Sequence, residues 1–443
     1  MADAAMNARE KAGSGGRLTR RWWLKACATL GALSTLAHRF ALLRFPSAAM
    51  LKDSGQQPKT KMPTRTHIAV IGAGAFGGWT ALYLLRRGAR VTLIDSWGPG
   101  NSRASSGGET RVIRGSYGPN QPYTEMAARA IQLWREHEKR WGRKLMFPIG
   151  VLWMATEADD TLERGSPPLL RKAGIPYEEL SADEVAPRWP QINLEGVRWG
   201  LYEPESGFLT ARIACQAVLE AFLAEGGEYK QAAVLAGNLE ETKWEGLPLS
   251  DNSKLTAEEY VFACGPWLGK LFPETIGSRI RATRQDVFFF GTPAGDDRYT
   301  EKKLPVWGDH RARFIYGIPG NQGRGFKVAD DTRGGDFDPT SGDRTVSADG
   351  LKSMREYVGL RFPGLKNAPL LESRVCQYEN SPDDHFIIDR HPRHENVWIV
   401  GGGSGHGFKH GPALGEMVAR LVMEHEDANP LFRLGRFKTQ AAK

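Results

Sequence analysis

His67-Ile68-Ala69-Val70-Ile71-Gly72-Ala73-Gly74-Ala75-Phe76-Gly77 sets a strand, a glycine turn and a helix start in succession. The run His67–Ile71 is short, apolar and rich in β-branched residues, the texture of a buried parallel strand. Gly72 permits a tight turn, Gly74 lets a backbone approach a pyrophosphate, and Gly77 allows close helix–strand packing. Phe76 opens a helical pattern that runs to about Arg87, and a second strand, Arg90 to Ile94, ends at Asp95. This is a β-α-β unit with an acid 18 residues past its last glycine. The spacing predicts a dinucleotide whose phosphates face the helix N-terminus and whose ribose hydroxyls bond Asp95.

Further along the chain, helical periodicity returns at Thr124–Arg140 and Ala211–Ala224, and Glu259–Ala263 reads as another buried strand. Between Arg284 and Tyr316 the texture changes to short aromatic runs set among polar residues, as in Val287-Phe288-Phe289-Phe290, which predicts antiparallel sheet. A long loop is expected over Ala329–Ala348, a helix near Leu351–Leu360, a strand at Val397–Val400 and a helix from about Ala413. No internal repeat is visible. A parallel dinucleotide unit followed by antiparallel sheet implies two interleaved domains.

The 443 residues carry a net charge of +8 at a pI of 9.2, which raises the question of nucleic acid. Residues 1–49 hold eight Lys or Arg against Asp3 and Glu10, and so account for most of that excess. The remainder is near neutral and offers no footprint for a phosphate backbone, so no nucleic-acid partner is expected. Within the basic segment, Thr19-Arg20-Arg21-Trp22-Trp23-Leu24-Lys25 resembles the bacterial twin-arginine export motif, with Trp23 where Phe is usual. The apolar run Ala26–Ala37 that follows is shorter than the roughly 20 residues of a spanning helix. Ser47-Ala48-Ala49 offers a cleavage site. The expectation is export by the twin-arginine machinery to the periplasm, with membrane association if the segment is not cut.

Cys27 lies in that segment, leaving Cys215, Cys264 and Cys376, which are widely spaced and odd in number. Neither a disulfide framework nor a zinc set is visible, the histidines show no metal spacing, and no metal is expected.

Three further motifs carry chemistry. Gly108-Glu109-Thr110-Arg111-Val112-Ile113-Arg114, followed by Tyr117, brings two arginines, and a guanidinium fork suits a carboxylate. Arg374-Val375-Cys376-Gln377-Tyr378 precedes Asp384-His385-Phe386-Ile387-Ile388-Asp389. Gly401-Gly402-Gly403-Ser404-Gly405-His406-Gly407-Phe408-Lys409 precedes a helix whose N-terminus could face developing negative charge.

With these four motifs, from about His67 to Leu421, the chain resembles the FAD-dependent D-amino-acid-oxidase superfamily. Within it, the likeness is to the monomeric sarcosine oxidase branch, which includes N-methyltryptophan, pipecolate and fructosyl-amino-acid oxidases. The resemblance implies an α/β chain, α+β overall, with a Rossmann-like FAD-binding domain interleaved with a substrate domain on an antiparallel sheet. It divides the chain into a signal (1–49), a linker (50–65), an FAD-binding domain (66–148, 205–281 and 383–430), a substrate domain (149–204 and 282–382) and a tail (431–443). Cofactor contacts are implied for Gly72, Gly74, Phe76, Gly77, Asp95, Thr110, Arg111, Gly403, Gly405, Gly407 and Lys409, with FAD bound covalently through Cys376. Arg114 and Lys409 are implied to clamp a substrate carboxylate, with Tyr316 and Tyr378 lining the pocket and His406 near the flavin. Lys327 matches a lysine over the flavin that activates dioxygen.

Two departures stand out. Sarcosine oxidase has a histidine four residues beyond that lysine, where this chain has Asp331, as fructosyl-amino-acid oxidases have an acid. Trp307 falls where sarcosine oxidase has a pocket methionine, implying a bulkier pocket. The expected reaction is hydride transfer from the carbon beside a secondary amine to the flavin, imine hydrolysis and release of hydrogen peroxide. A monomer with an amine or amino-acid substrate and O2 as partners is implied. A dehydrogenase handing electrons to a quinone or protein, and a flavin-holding protein without turnover, remain open.

Overall fold

The computed structural model describes residues 65–156, 159–235, 242–311 and 313–438. The segment read as an export signal and nearly all of the linker lie outside them.

A six-stranded sheet runs in the order Ile387–Arg390, Val397–Gly401, Glu259–Phe262, His67–Ile71, Arg90–Asp95, Glu228–Gln231. It is parallel except where Ile387–Arg390 turns back on Val397–Gly401. The central strand is buried on both faces, hence its unbroken apolar sequence. Ile68 and Val70 face the helices Ala75–Arg86, Gln121–Trp141, Ala211–Ala224 and Gly411–Glu424. Ala69 and Ile71 face a second core built by Trp244, Phe262, Phe272 and Ile276.

Helix Gly411–Glu424 lies against helix Ala75–Arg86 at a distance only glycine allows. A Cβ on Gly415 would sit 2.6 Å from the backbone carbon of Trp79. Gly415→Ala should therefore push the helices apart and lower stability by about 2 kcal/mol, measured by urea unfolding with an unchanged m-value.

The second sheet has eight strands, in the order Leu370–Asn380, Arg281–Phe290, Phe326–Asp330, Phe314–Ile318, Val306–His310, Val151–Thr156, Val197–Glu203, Glu178–Ser181. Only the pair Val306–His310 and Val151–Thr156 is parallel. Its register sets Gln285 opposite Cys376 and Phe289 opposite Lys327, which places Cys376 and Lys327 on the two strands that flank Arg281–Phe290. Helix Ala348–Arg361 covers the other face. Trp307 belongs to that covered face: it is fully buried against Phe326, Tyr357 and Phe362. The expectation that it lines the pocket is corrected, because side chains alternate along the strand and Trp307 points away from it. A small three-stranded sheet, Thr110–Ile113, Gly207–Thr210 and Met146–Phe147, joins the two large ones. Residues read as a tail continue in short helical turns to Lys438 and bury Phe432 and Phe437.

Candidate active site

The turn after the first strand is built as its glycines require. Gly72 has φ +105°, and a Cβ there would lie 2.3 Å from the carbonyl oxygen of Ala263. Gly74 is the N-cap of helix Ala75–Arg86, and the first turn holds no acid. The Ala75 N–H donates to the Ser106 hydroxyl at 3.0 Å, and the dipole of the N-terminus is left without a charged side chain. Asp95 is tied into this turn: it accepts from the backbone N–H groups of Ala73 (2.8 Å), Trp97 (2.8 Å) and Gly98 (2.7 Å). Burial pushes its pKa up, against those bonds.

From this turn a cavity of about 340 Å³ runs past Ser105, Ser106, Arg111 and Cys264 to Gly403, Gly405, Gly407 and Tyr378. A Cβ on Gly405 would strike the Tyr378 ring and one on Gly407 the Phe76 ring, at 2.6 and 2.7 Å. The hydroxyls of Ser105 and Thr110 and one carboxyl oxygen of Glu379 are buried without a partner. A glycine-walled channel with a helix N-terminus that no acidic side chain neutralises at one end, and with unsatisfied polar atoms near it, fits FAD.

At the far end, Arg111 donates to Ser105 O (2.6 Å), to Thr110 O (2.9 Å) and to Cys376 Sγ (3.3 Å). Lys327 is buried and donates to Thr110 O at 3.0 Å, with Tyr316 beside it at 5.8 Å from nitrogen to ring centre. Burial, then the Arg111 charge, lowers its pKa to about 7.

The remaining groups gather on Tyr117. The Arg114 guanidinium lies over the Tyr117 ring at 4.1 Å and near Trp153 at 5.1 Å, and its Nη1 is buried without a partner. Lys409 Nζ donates to the Tyr117 hydroxyl (2.8 Å) and to His406 O (2.7 Å). Burial and the neighbouring Arg114 charge drive the Lys409 pKa well below its usual range. His406 contacts the Asp384 carbonyl (3.0 Å) and, more distantly, Tyr117; burial holds it neutral. Opposite stands Asp331, which accepts from the Tyr378 hydroxyl at 2.7 Å. Burial raises its pKa to about 6, while Tyr378, Arg114 and Lys409 favour its charged form.

Four residues of this arrangement escape sequence reasoning as site residues. Asp331 was visible only as a departure, and Tyr117 only as a neighbour of Arg114. Glu203 is remote in sequence, yet accepts from Gly115 N (2.6 Å), Ser116 N (3.3 Å), the Ser116 hydroxyl, Trp153 Nε1 (2.9 Å) and the Ser206 hydroxyl (2.8 Å). It thus fixes both the backbone after Arg114 and the indole beside it. Glu379 is the fourth.

Comparison with known proteins agrees with this geometry. The protein-family profile described as FAD dependent oxidoreductase matches residues 67–421, and the chain belongs to that family. The monomeric sarcosine oxidase of Streptomyces avermitilis is 31% identical, over 82% of this chain and 95% of that protein. The peroxisomal sarcosine oxidase of Mus musculus is 30% identical, over 84% and 96%. Among solved structures, an L-proline dehydrogenase from P. horikoshii superposes with a TM-score of 0.75 at 22% identity, covering 86% of this chain and 99% of that one. A fructosyl peptide oxidase does so at 0.71 and 21%, covering 83% and 93%. At those identities the structures establish the fold. The chain is an FAD-dependent oxidoreductase of CH–NH donors, oxidising a secondary amine or N-substituted amino acid by hydride transfer.

The periplasmic expectation is corrected. Two relatives, from Mus musculus and Homo sapiens, are named as peroxisomal sarcosine oxidases. No described helix is long and apolar enough to cross a membrane.

Proposed function

We propose that the substrate is an N-substituted amino acid clamped by its carboxylate between Arg114 and Lys409, that FAD is linked to Cys376, and that O2 is the acceptor, served by Lys327. The observation that carries the reading is the buried, unpartnered Nη1 of Arg114, beside Lys409 and facing Asp331. A guanidinium nitrogen buried without a partner is matched by an anionic ligand.

The charge pattern supports a substrate with two poles. Its carboxylate meets Arg114 and Lys409, and its nitrogen meets Asp331, which the Tyr378 hydroxyl orients. Holding both ends leaves the carbon between them one position to occupy, which is how binding lowers the barrier. The FAD supplies the hydride acceptor. Asp331 takes up the positive charge that develops at nitrogen as the imine forms, and water then hydrolyses that imine. Tyr316 and the Tyr117 ring keep bulk water from the reacting carbon. Arg111, which lines the channel, donates to Cys376 Sγ at 3.3 Å and so holds the sulfur next to a channel wall, which supports a thioether to the flavin.

Acid denaturation of the purified protein tests the link: yellow colour should stay with the polypeptide and leave it in Cys376→Ala. Flavin that washes free from the unsubstituted protein would remove the covalent part alone. For the reaction, anaerobic mixing with N-methyl and glycated amino acids should bleach the flavin, whereas simple amines lacking a carboxylate should do so poorly. If carboxylate-free amines bleach it equally well, the clamp is wrong.

A further inference from the structure

Glu379 follows the pocket residue Tyr378 on strand Leu370–Asn380, is 8% exposed, and lines the cofactor cavity. Its Oε1 accepts from Gly403 N at 3.2 Å, and its Oε2 has no partner. The wall around that free oxygen is glycine: Cβ atoms built on Gly401 and Gly265 would come within 3.4 and 3.6 Å of it. Among the described residues no cation pairs with this carboxyl. A buried carboxylate with neither a cation nor a full set of donors is costly, and the pyrophosphate expected at the Gly74 end of the same cavity would add negative charge to it.

We propose that Glu379 touches the cofactor as a neutral acid, its Oε2–H donating a hydrogen bond to FAD, so that FAD binding requires this carboxyl to carry a proton. The inference rests on the FAD reading of the cavity. It extends that reading to a residue outside the four motifs' implied contacts.

The groups around Glu379 agree. From the end of the strand Glu259–Phe262 comes Cys264, whose thiol burial keeps protonated. Phe76 faces it from helix Ala75–Arg86 and brings no charge. From the glycine loop, Ser404 bonds the Gly402 carbonyl and His406 is held neutral. Across the cavity, Arg111 is committed to Ser105, Thr110 and Cys376, Asp95 to the first turn, and the Tyr378 hydroxyl to Asp331. None of these stabilises an ionised Glu379. Burial pushes its pKa up to about 7, and only the amides of Gly403 and Gly402 pull it back. An anionic cofactor raises it further. A group whose pKa is higher in the complex than in the free protein weakens binding as pH rises above the free value, by up to about tenfold per unit.

The test uses full-length Cys376→Ala holoprotein, in which flavin is free to dissociate, and follows FAD release by fluorescence on dilution between pH 6 and 9. The Kd should be level below pH 7 and rise at least 10-fold by pH 9. In Cys376→Ala/Glu379→Gln, which keeps a donor and loses the titration, it should change less than about threefold over the whole range. An equal rise in the Gln variant overturns the proposal. So does a Kd that is flat or falls with pH while Glu379 is present, since an ionised acceptor would show that sign. Should the double variant fail to fold, judged by near-UV circular dichroism, the single variant decides by the same criterion. Protein that takes up no FAD at any pH would instead overturn the cofactor reading.

Discussion

Arg114→Lys should lower kcat/KM for a carboxylate substrate about 100-fold, with FAD still bound and the flavin spectrum unchanged. The guanidinium lies 4.1 Å over Tyr117 and 5.1 Å from Trp153, and Glu203 holds the backbone just after Arg114 and the Trp153 indole. An ammonium at this position keeps the charge but loses the planar fork and the stacking, so it cannot offer two parallel donors. Losing such a paired, buried contact costs about 3 kcal/mol, which is a factor of roughly 150. Arg114→Ala should cost more, because Lys409 alone is driven toward neutrality by its burial. The loss belongs in substrate affinity before it appears in kcat, since the carboxylate is held equally in the ground state and the transition state. Titrating a non-reacting carboxylate analogue against the flavin spectrum separates the two. An unchanged Kd in Arg114→Ala would move the carboxylate elsewhere in the pocket.

The parts of this site legible in the sequence are those where one short segment does the whole job. The glycine turn is recognisable because Gly72, Gly74 and Gly77 each answer a backbone demand within a single β-α unit. Helix Ala211–Ala224 has the bounds its periodicity predicts, since one apolar face docks on a sheet. The strand Val151–Thr156 gives no such signal: all its side chains are buried, so no alternation marks it. Trp307 misleads for the reason opposite to the glycines: its role depends on which face of a strand it occupies, and a one-residue difference in register reverses that. Glu203 and Glu379 act through contacts made across the fold, with Gly115, Trp153 and Gly403, at separations where no spacing rule operates. Asp331 lies between these cases. Its place four residues past Lys327 marks it as a departure, but only the Tyr378 hydroxyl bond and the facing cations give it a task.

Lys327→Met should slow reoxidation of the enzyme by O2 by 10²- to 10³-fold while leaving anaerobic bleaching by substrate within about threefold. The magnitude is that of removing one preorganised charge from a site where negative charge develops. The geometry separates the two half-reactions: Lys327 Nζ is held by the Thr110 carbonyl beside Cys376, whereas the carboxylate clamp stands on Tyr117. The pH dependence carries the stricter test. Burial and Arg111 lower the Lys327 pKa to about 7, so its charge is complete below that value and is lost as pH rises through it. Negative charge delivered to the cofactor by substrate moves the loss upward. Reoxidation by O2 in the unsubstituted protein should therefore fall with increasing pH from about 7, and Lys327→Met should remove that dependence together with most of the rate. Methionine fills the lysine's volume without its charge, so a change in packing alone would leave the pH profile in place. If the variant reoxidises as fast as the parent, Lys327 does not serve oxygen. If the parent itself reacts slowly with O2 but quickly with a quinone, the acceptor is the quinone and the chain works as a dehydrogenase on the same clamp.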